Sequence, residues 1–239
     1  MRRGAIGMLV LIGAVVGVLT AVVAAFVPWL PEQASVQRER IDFVFWLTTW
    51  ICVGIFALVS AVLIYSVVKF RARPDDDSDG APIHGHTGLE IVWTAIPTVL
   101  VVVIGVASAI VLWQNDRAAG DALVVRVTGQ QFAWTFEYPD GTTSGRLGLP
   151  VNRDVVLDLG AREVIHSFWV AEFGQKQDAV PGIRTRLVIT PKKVGTYDVI
   201  CTELCGPGHA LMRSFAVVME PDDFESWLED EAERQAGGA

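Results

Sequence analysis

Three stretches without a charged residue dominate the first half of the chain. They are Gly4–Pro31, Phe43–Val68 and Ile91–Asn115. Each exceeds the roughly 20 residues that carry a helix across a bilayer core. Trp46, Trp50, Trp93 and Trp113 lie near the ends of the second and third, where interfacial anchors belong. Pro97 sits one turn into the third, where a helix start tolerates it. The first stretch has two readings. Arg2-Arg3, a long apolar run and Val23-Ala24-Ala25 suit a secretory signal, and the length suits a retained helix. Residues 1–31 are therefore a signal peptide or a first transmembrane helix. Residues 32–115 form a transmembrane hairpin with spans at about 43–68 and 91–113. Lys69, Arg71 and Arg73 directly follow the second stretch and mark a cytoplasmic loop. The protein is then a multi-pass cell-membrane protein, with Glu32–Asp42 and everything after Asp116 outside.

After Asn115 the pattern changes to short β-branched and aromatic runs between Gly, Pro and Asp turns. It predicts strands at Leu123–Gln130, Phe132–Tyr138, Asp154–Leu159, Val164–Val170, Thr185–Thr190, Thr196–Cys201 and Arg213–Met219. Pro139-Asp140-Gly141 and Pro181-Gly182 are turn signals. Such spacing fits an all-β Greek-key sandwich or barrel over residues 116–220. Pro221-Asp222-Asp223 opens a short acidic helix and tail, 221–239, with negative charge at its positive end.

Composition narrows the class. The chain has 239 residues and is 51% hydrophobic, with a mean hydropathy of +0.41, as membrane proteins are. A net charge of −8 excludes a broadly basic nucleic-acid binder. Three Cys exclude a disulfide-rich scaffold. From Asn115 onward there are 12 basic and 19 acidic residues, so nearly all the net charge is on the exported part. That surface suits a basic partner such as a soluble electron carrier, and it equally suits plain solubility. The acidic loop run Asp75-Asp76-Asp77-Ser78-Asp79-Gly80 reads as a solvated connector. His84 and His86 have no third ligand nearby in sequence and read as loop residues.

The chemistry concentrates in Cys201-Thr202-Glu203-Leu204-Cys205-Gly206-Pro207-Gly208-His209-Ala210-Leu211-Met212. Two thiols, an imidazole, a carboxylate and a thioether share this segment, and His166 lies on an earlier strand. Soft sulfur donors with imidazole point to copper, and a second Cys permits two coppers bridged by two thiolates. Ligands on one loop of a rigid β scaffold suit electron transfer, because little must reorganise. Three other readings remain. Cys201 and Cys205 pair as a disulfide, Cys-x3-Cys with two His holds structural zinc, or Met212 is core. Cys52 reads as a small hydrophobe within the membrane. Nucleophilic catalysis is disfavoured, since the Cys and His are otherwise accounted for.

At these residues the chain resembles subunit II of the haem–copper cytochrome c oxidases. The resemblance runs over nearly the whole length. It includes Cys201-x-Glu203-x-Cys205-x3-His209-x2-Met212, His166-Ser167-Phe168-Trp169 and Lys176-Gln177-Asp178-Ala179-Val180-Pro181-Gly182. It implies a helical hairpin followed by a cupredoxin-like domain holding a dinuclear copper centre, CuA. By that resemblance Cys201 and Cys205 bridge the coppers, and His166 and His209 bind one each. Met212 and the Glu203 backbone carbonyl are weak ligands. The Glu203 side chain helps hold magnesium at the interface with subunit I.

The stretch Gly129-Gln130-Gln131-Phe132-Ala133-Trp134-Thr135-Phe136-Glu137-Tyr138 resembles the family's aromatic electron-entry strand. Phe132 stands where the family has its first Trp, and Trp134 matches the second, so both are entry candidates. On residue pattern alone, Phe132, Trp134 and Phe136 alternate towards the core on one strand face. Leu89-Glu90-Ile91-Val92-Trp93-Thr94-Ala95-Ile96-Pro97 resembles the start of the second hairpin helix. There Glu90 marks the mouth of a proton pathway in subunit I, or is simply a first-turn acid. The implied function is to accept electrons from a cytochrome c, or a cytochrome c domain, and pass them to haem in subunit I for dioxygen reduction. Subunit I and other oxidase subunits are the implied partners. A copper-free quinol oxidase subunit II and a membrane-tethered cupredoxin carrier are the alternatives. The chain has no Cys-x-x-Cys-His haem-attachment motif.

Overall fold

The computed structural model describes residues 3–72, 79–80 and 82–237. Arg2, Arg73 and the run Asp75–Ser78, used above for the signal, topology and connector readings, lie outside the described residues. The chain divides into two compact units. One comprises Met1–Trp29 with Phe43–Ala109, and the other Leu30–Asp42 with Ile110–Ala239.

The first unit is helical. Helices α1 (Arg3–Phe26), α2 (Val36–Lys69) and α3 (Thr87–Asn115) are each long and apolar enough to cross a membrane. Gly13 and Gly17 bring α1 close to α2. A Cβ at Gly13 would sit 3.5 Å from that of Ala61, and one at Gly17 would sit 3.4 Å from that of Ala57. Small residues permit this approach, which is how helices gain dispersion contacts in lipid. The start of α3 is capped reciprocally. His86 Nδ1 accepts from the Leu89 N–H at 3.1 Å, and Glu90 Oε1 accepts from the His86 N–H at 3.1 Å. Both bonds satisfy donors that a helix start leaves open.

Helix α2 has 34 residues and is about 51 Å long at 1.5 Å per residue. That exceeds a hydrocarbon core of about 30 Å. Its first turns, Val36–Asp42, are polar and belong to the second unit. This differs from the sequence expectation, which placed residues 32–42 with the hairpin. The reason is a dense set of bonds from this segment to the β domain. Ala34 N–H donates to Glu172 O, Lys192 N–H to Ala34 O, and Val36 N–H to Thr190 O, at 2.8–3.1 Å. Buried Ser35 Oγ donates to Phe173 O at 2.9 Å. Gln37 Oε1 accepts from the Thr190 N–H at 2.9 Å. Arg38 Nη1 reaches Ala171 O at 3.0 Å, and its guanidinium pairs with Asp42 at 2.8 Å, both side chains buried.

The rest of the second unit holds ten strands. These are β1 (Leu123–Gln130), β2 (Ala133–Glu137), β3 (Thr143–Ser144), β4 (Leu147–Pro150), β5 (Val155–Ala161), β6 (His166–Trp169), β7 (Lys176–Ala179), β8 (Thr185–Ile189), β9 (Gly195–Cys201) and β10 (Arg213–Met219). They form two five-stranded sheets, ordered β3-β2-β1-β5-β8 and β4-β10-β9-β6-β7. Pairs β1·β5 and β4·β10 are parallel, and the remainder are antiparallel. This is a mixed-sheet, cupredoxin-like sandwich. The seven expected strands are all present, and β3, β4 and β7 were not expected. They are two to four residues long, and β4 is buried at every position, so none shows an alternating pattern. The core between the sheets holds Val125, Val127, Phe136, Leu147, Leu157, Leu159, Phe168 and Val199. Helix α4 (Pro221–Gly237) covers one edge through Phe224 and Trp227. Gly148 is small because Trp227 lies on it, 2.4 Å from where a Cβ would stand.

Candidate metal centre

Three adjacent strands place the donors. Pairing of β6 with β9 sets Phe168 opposite Cys201, which brings His166 to the same end of the sheet as the end of β9. Thr202 N–H donates to Ser167 O at 2.9 Å and ties the following loop to β6. Cys201 N–H donates to Met212 O at 3.2 Å and closes the loop before β10. Within it, His209–Leu211 make one 3-10 turn, held by Leu211 N–H to Gly208 O at 3.0 Å and Met212 N–H to His209 O at 3.2 Å. Gly206 has φ +131°, a conformation that side chains disfavour.

The donor atoms converge. Cys201 Sγ lies 3.9 Å from Cys205 Sγ, 3.8 Å from His166 Nδ1 and 3.3 Å from the Glu203 carbonyl oxygen. Cys205 Sγ lies 3.7 Å from His209 Nδ1 and 3.8 Å from Met212 Sδ. His166, Cys201, Cys205 and Met212 are buried. The Cys201 and Cys205 sulfurs are not bonded to each other and stand 3.9 Å apart. A donor cluster of two sulfurs and an imidazole on such a scaffold, with a thioether beside it, fits a soft metal better than magnesium or calcium. The ligand atoms of His166, Cys201 and Cys205 all lie within 4.8 Å of one another, close enough to hold one metal ion.

Burial shifts the titration of two of these residues, His166 and Cys205. It holds the His166 pKa below the usual histidine value, opposed by the Glu163 charge and helped by His209. The imidazole is therefore neutral and ready to act as a ligand. Burial pushes the Cys205 thiol up to about 11, with neighbouring Cys201 adding to the shift. A bound cation offsets that penalty, because it stabilises thiolate.

The two aromatic candidates part company. Trp134 is buried on β2, with its ring centroid 5.9 Å from that of His166 and 5.7 Å from that of Phe168. Phe132 does not alternate into the core with Trp134 and Phe136. Gln130 pairs with Ala133, which leaves Gln131 and Phe132 as the turn between β1 and β2. Phe132 is 37% exposed, and its ring lies against Gly206 and Gly208 of the ligand loop. Glu203 extends its side chain to solvent while its carbonyl faces Cys201. Glu90 is remote from this group in sequence and serves the α3 cap described above. Gly129 and Gln131 escaped the sequence reading. Gly129 leaves room for the His166 ring, 2.9 Å from where a Cβ would stand. Gln131 Nε2 donates to Cys205 O at 2.6 Å. Only the motif surrounding these two drew attention to them.

Comparison with known proteins agrees with this architecture. Residues 20–111 match the family described as cytochrome c oxidase subunit II, transmembrane domain, and residues 142–220 match its periplasmic domain. Cytochrome c oxidase subunit 2 of Thermostichus vulcanus is 38% identical over 253 residues, covering 83% of this chain and 77% of the relative. The same protein of a Synechocystis species is 36% identical, covering 83% and 74%. The crystal structure of the periplasmic domain of subunit II of the Bradyrhizobium japonicum cytochrome oxidase is 28% identical. It covers 50% of this chain and 98% of that one, with a TM-score of 0.46. Since the membrane helices and the donor-bearing domain are both matched, the chain belongs to the cytochrome c oxidase subunit II family and is a membrane-bound subunit of an oxidoreductase complex.

Proposed function

We propose that His166, Cys201, Cys205, His209 and Met212, with the backbone carbonyl of Glu203, hold the dinuclear copper centre CuA. Bound there, copper supplies reversible one-electron transfer between a cytochrome c and the haem-bearing subunit I. The observation that carries this reading is the convergence of three sulfurs and two imidazoles, each within 3.9 Å of a cysteine sulfur. The protein's own part is to hold these donors in place. His166 and Cys201 sit on paired strands, and Cys205, His209 and Met212 sit on a loop closed at both ends. The apolar surroundings keep water from the sulfurs. Trp134, in ring contact with His166, is the buried end of the entry route, and Phe132 is its exposed end.

The Glu203 carboxylate is assigned to magnesium at the contact with subunit I, and Glu90 to the mouth of the proton pathway. Their places in the family motifs support both assignments. Helix α1 packs on α2 through Gly13 and Gly17, and is either a further membrane helix or a signal that is removed.

The test is copper stoichiometry and electron paramagnetic resonance on the full-length protein, purified in detergent and loaded with copper. Two coppers per chain sharing one unpaired electron is the expected result. One copper with a blue-type spectrum would replace CuA with a mononuclear cupredoxin site. No bound copper after reduction and reloading would remove the reading.

A further inference from the structure

We infer that Gln131 and Phe132 act as a clamp that positions the Cys205–Gly208 part of the ligand loop. The inference deepens the copper reading and rests on it. Two glycines, Gly206 and Gly208, flank Pro207 in a loop that must hold three of the donors in register. Glycine makes a backbone mobile unless something outside it restrains it. The β1–β2 turn supplies that restraint.

Gln131 is held at both ends. Its backbone N–H donates to Glu163 Oε2 at 3.3 Å, and its side-chain Nε2 donates to the Cys205 carbonyl at 2.6 Å. The bonded peptide therefore belongs to a residue whose Sγ faces Cys201, His209 and Met212. The Phe132 ring covers the adjoining backbone. A Cβ at Gly208 would lie 2.4 Å from Phe132 Cδ2, and one at Gly206 would lie 2.8 Å from Gln131 Nε2 and 3.2 Å from the Phe132 ring. Gly208 is thus small because the Phe132 ring lies on it, while Gly206 answers both to the clamp and to its φ of +131°. Gln131 is exposed, and the bond from its long side chain contributes little to the core. Its contact is aimed at the donor loop. Gln131 and Phe132 touch no donor side chain through these contacts, so in this role they are positioning residues. Partners that orient metal ligands from outside typically matter about tenfold or more in metal affinity.

The experiment uses the full-length, copper-loaded protein in detergent. It compares wild type with Gln131→Glu, Gln131→Met, Phe132→Leu and Phe132→Tyr. Gln131→Glu keeps the shape but turns a carboxylate oxygen towards the Cys205 carbonyl. Gln131→Met keeps the length and removes the donor. Both are expected to release copper to a chelator about tenfold faster, with altered copper hyperfine structure and a shifted reduction potential. Phe132→Leu is expected to behave in the same way. Phe132→Tyr keeps the ring and is expected to restore the wild-type spectrum. If both Gln131 variants kept the wild-type spectrum, potential and release rate, with only a lower melting temperature, the clamp would be overturned. Wild-type protein without a dinuclear copper signature would instead overturn the copper reading beneath it, so the two failures are told apart.

Discussion

Met212 is fully buried with its Sδ 3.8 Å from Cys205 Sγ, so its shape and its sulfur can be tested apart. Met212→Leu conserves volume, and such swaps usually cost under about 1.5 kcal/mol. The domain should stay folded by circular dichroism while the reduction potential and spectrum of the loaded centre move. An unmoved spectrum would make Met212 a packing residue. Gly129 tests the opposite quantity. A Cβ there would stand 2.9 Å from His166 Cδ2 and 3.2 Å from the Trp134 ring. Gly129→Ala should cost about 1–3 kcal/mol by overpacking and reduce copper bound per chain. Normal loading with normal melting would show that His166 can shift freely. The types of the donor residues were legible in the sequence because two Cys, a His and a Met crowd into one short segment. The need for Gly129 and Gln131 was not legible, because each acts on a residue brought near only by folding.

At the scale of elements, Leu30–Asp42 is the least expected part of the molecule. It leads into an apolar helix, yet its bonds run to the β domain. The Arg38–Asp42 pair is buried there, and Asp42 also accepts from Gln33 Nε2 at 2.6 Å. Removing one partner of a buried pair leaves a charge unmatched and costs about 3–5 kcal/mol, whereas replacing both with apolar groups is often tolerated. Arg38→Met should therefore lower the thermal midpoint of the detergent-solubilised protein strongly. The double variant Arg38→Met/Asp42→Leu should recover much of the loss. Equal losses in the single and double variants would show that the guanidinium bond to Ala171 O, rather than the ion pair, holds the segment. Sequence reading located β1 and β10 to the residue, since their inward positions alternate strictly. It missed β4 and β7, which owe their strand form to neighbours rather than to a pattern of their own.

For the whole molecule, alkaline pH reports on the integrity of the β domain. Tyr138 is buried under α4, and its hydroxyl accepts from the Gly148 N–H at 2.7 Å. Burial, the largest cause, raises its pKa well above the tyrosine norm, and Tyr197 is raised by burial as well. In the unfolded chain both would ionise near 10. Their contribution to stability is thus complete below about pH 10 and is lost as the pH climbs towards the folded values. Phenolate absorbance of Tyr138 should appear together with loss of β structure in a pH titration. Ionisation well before unfolding would show that α4 opens locally. The three long apolar helices, the β fold of the domain after Asn115 and the residue types of the donor set followed from the sequence alone. Hydropathy and short-range periodicity reflect each residue's own partition between water, lipid and core, and that information is local. Only the tertiary structure decided that the donors meet, that Phe132 lies on the ligand loop rather than in the core, and that Leu30–Asp42 docks on the β domain. Those outcomes depend on contacts between residues tens of positions apart, whose distances are set by sheet pairing and packing.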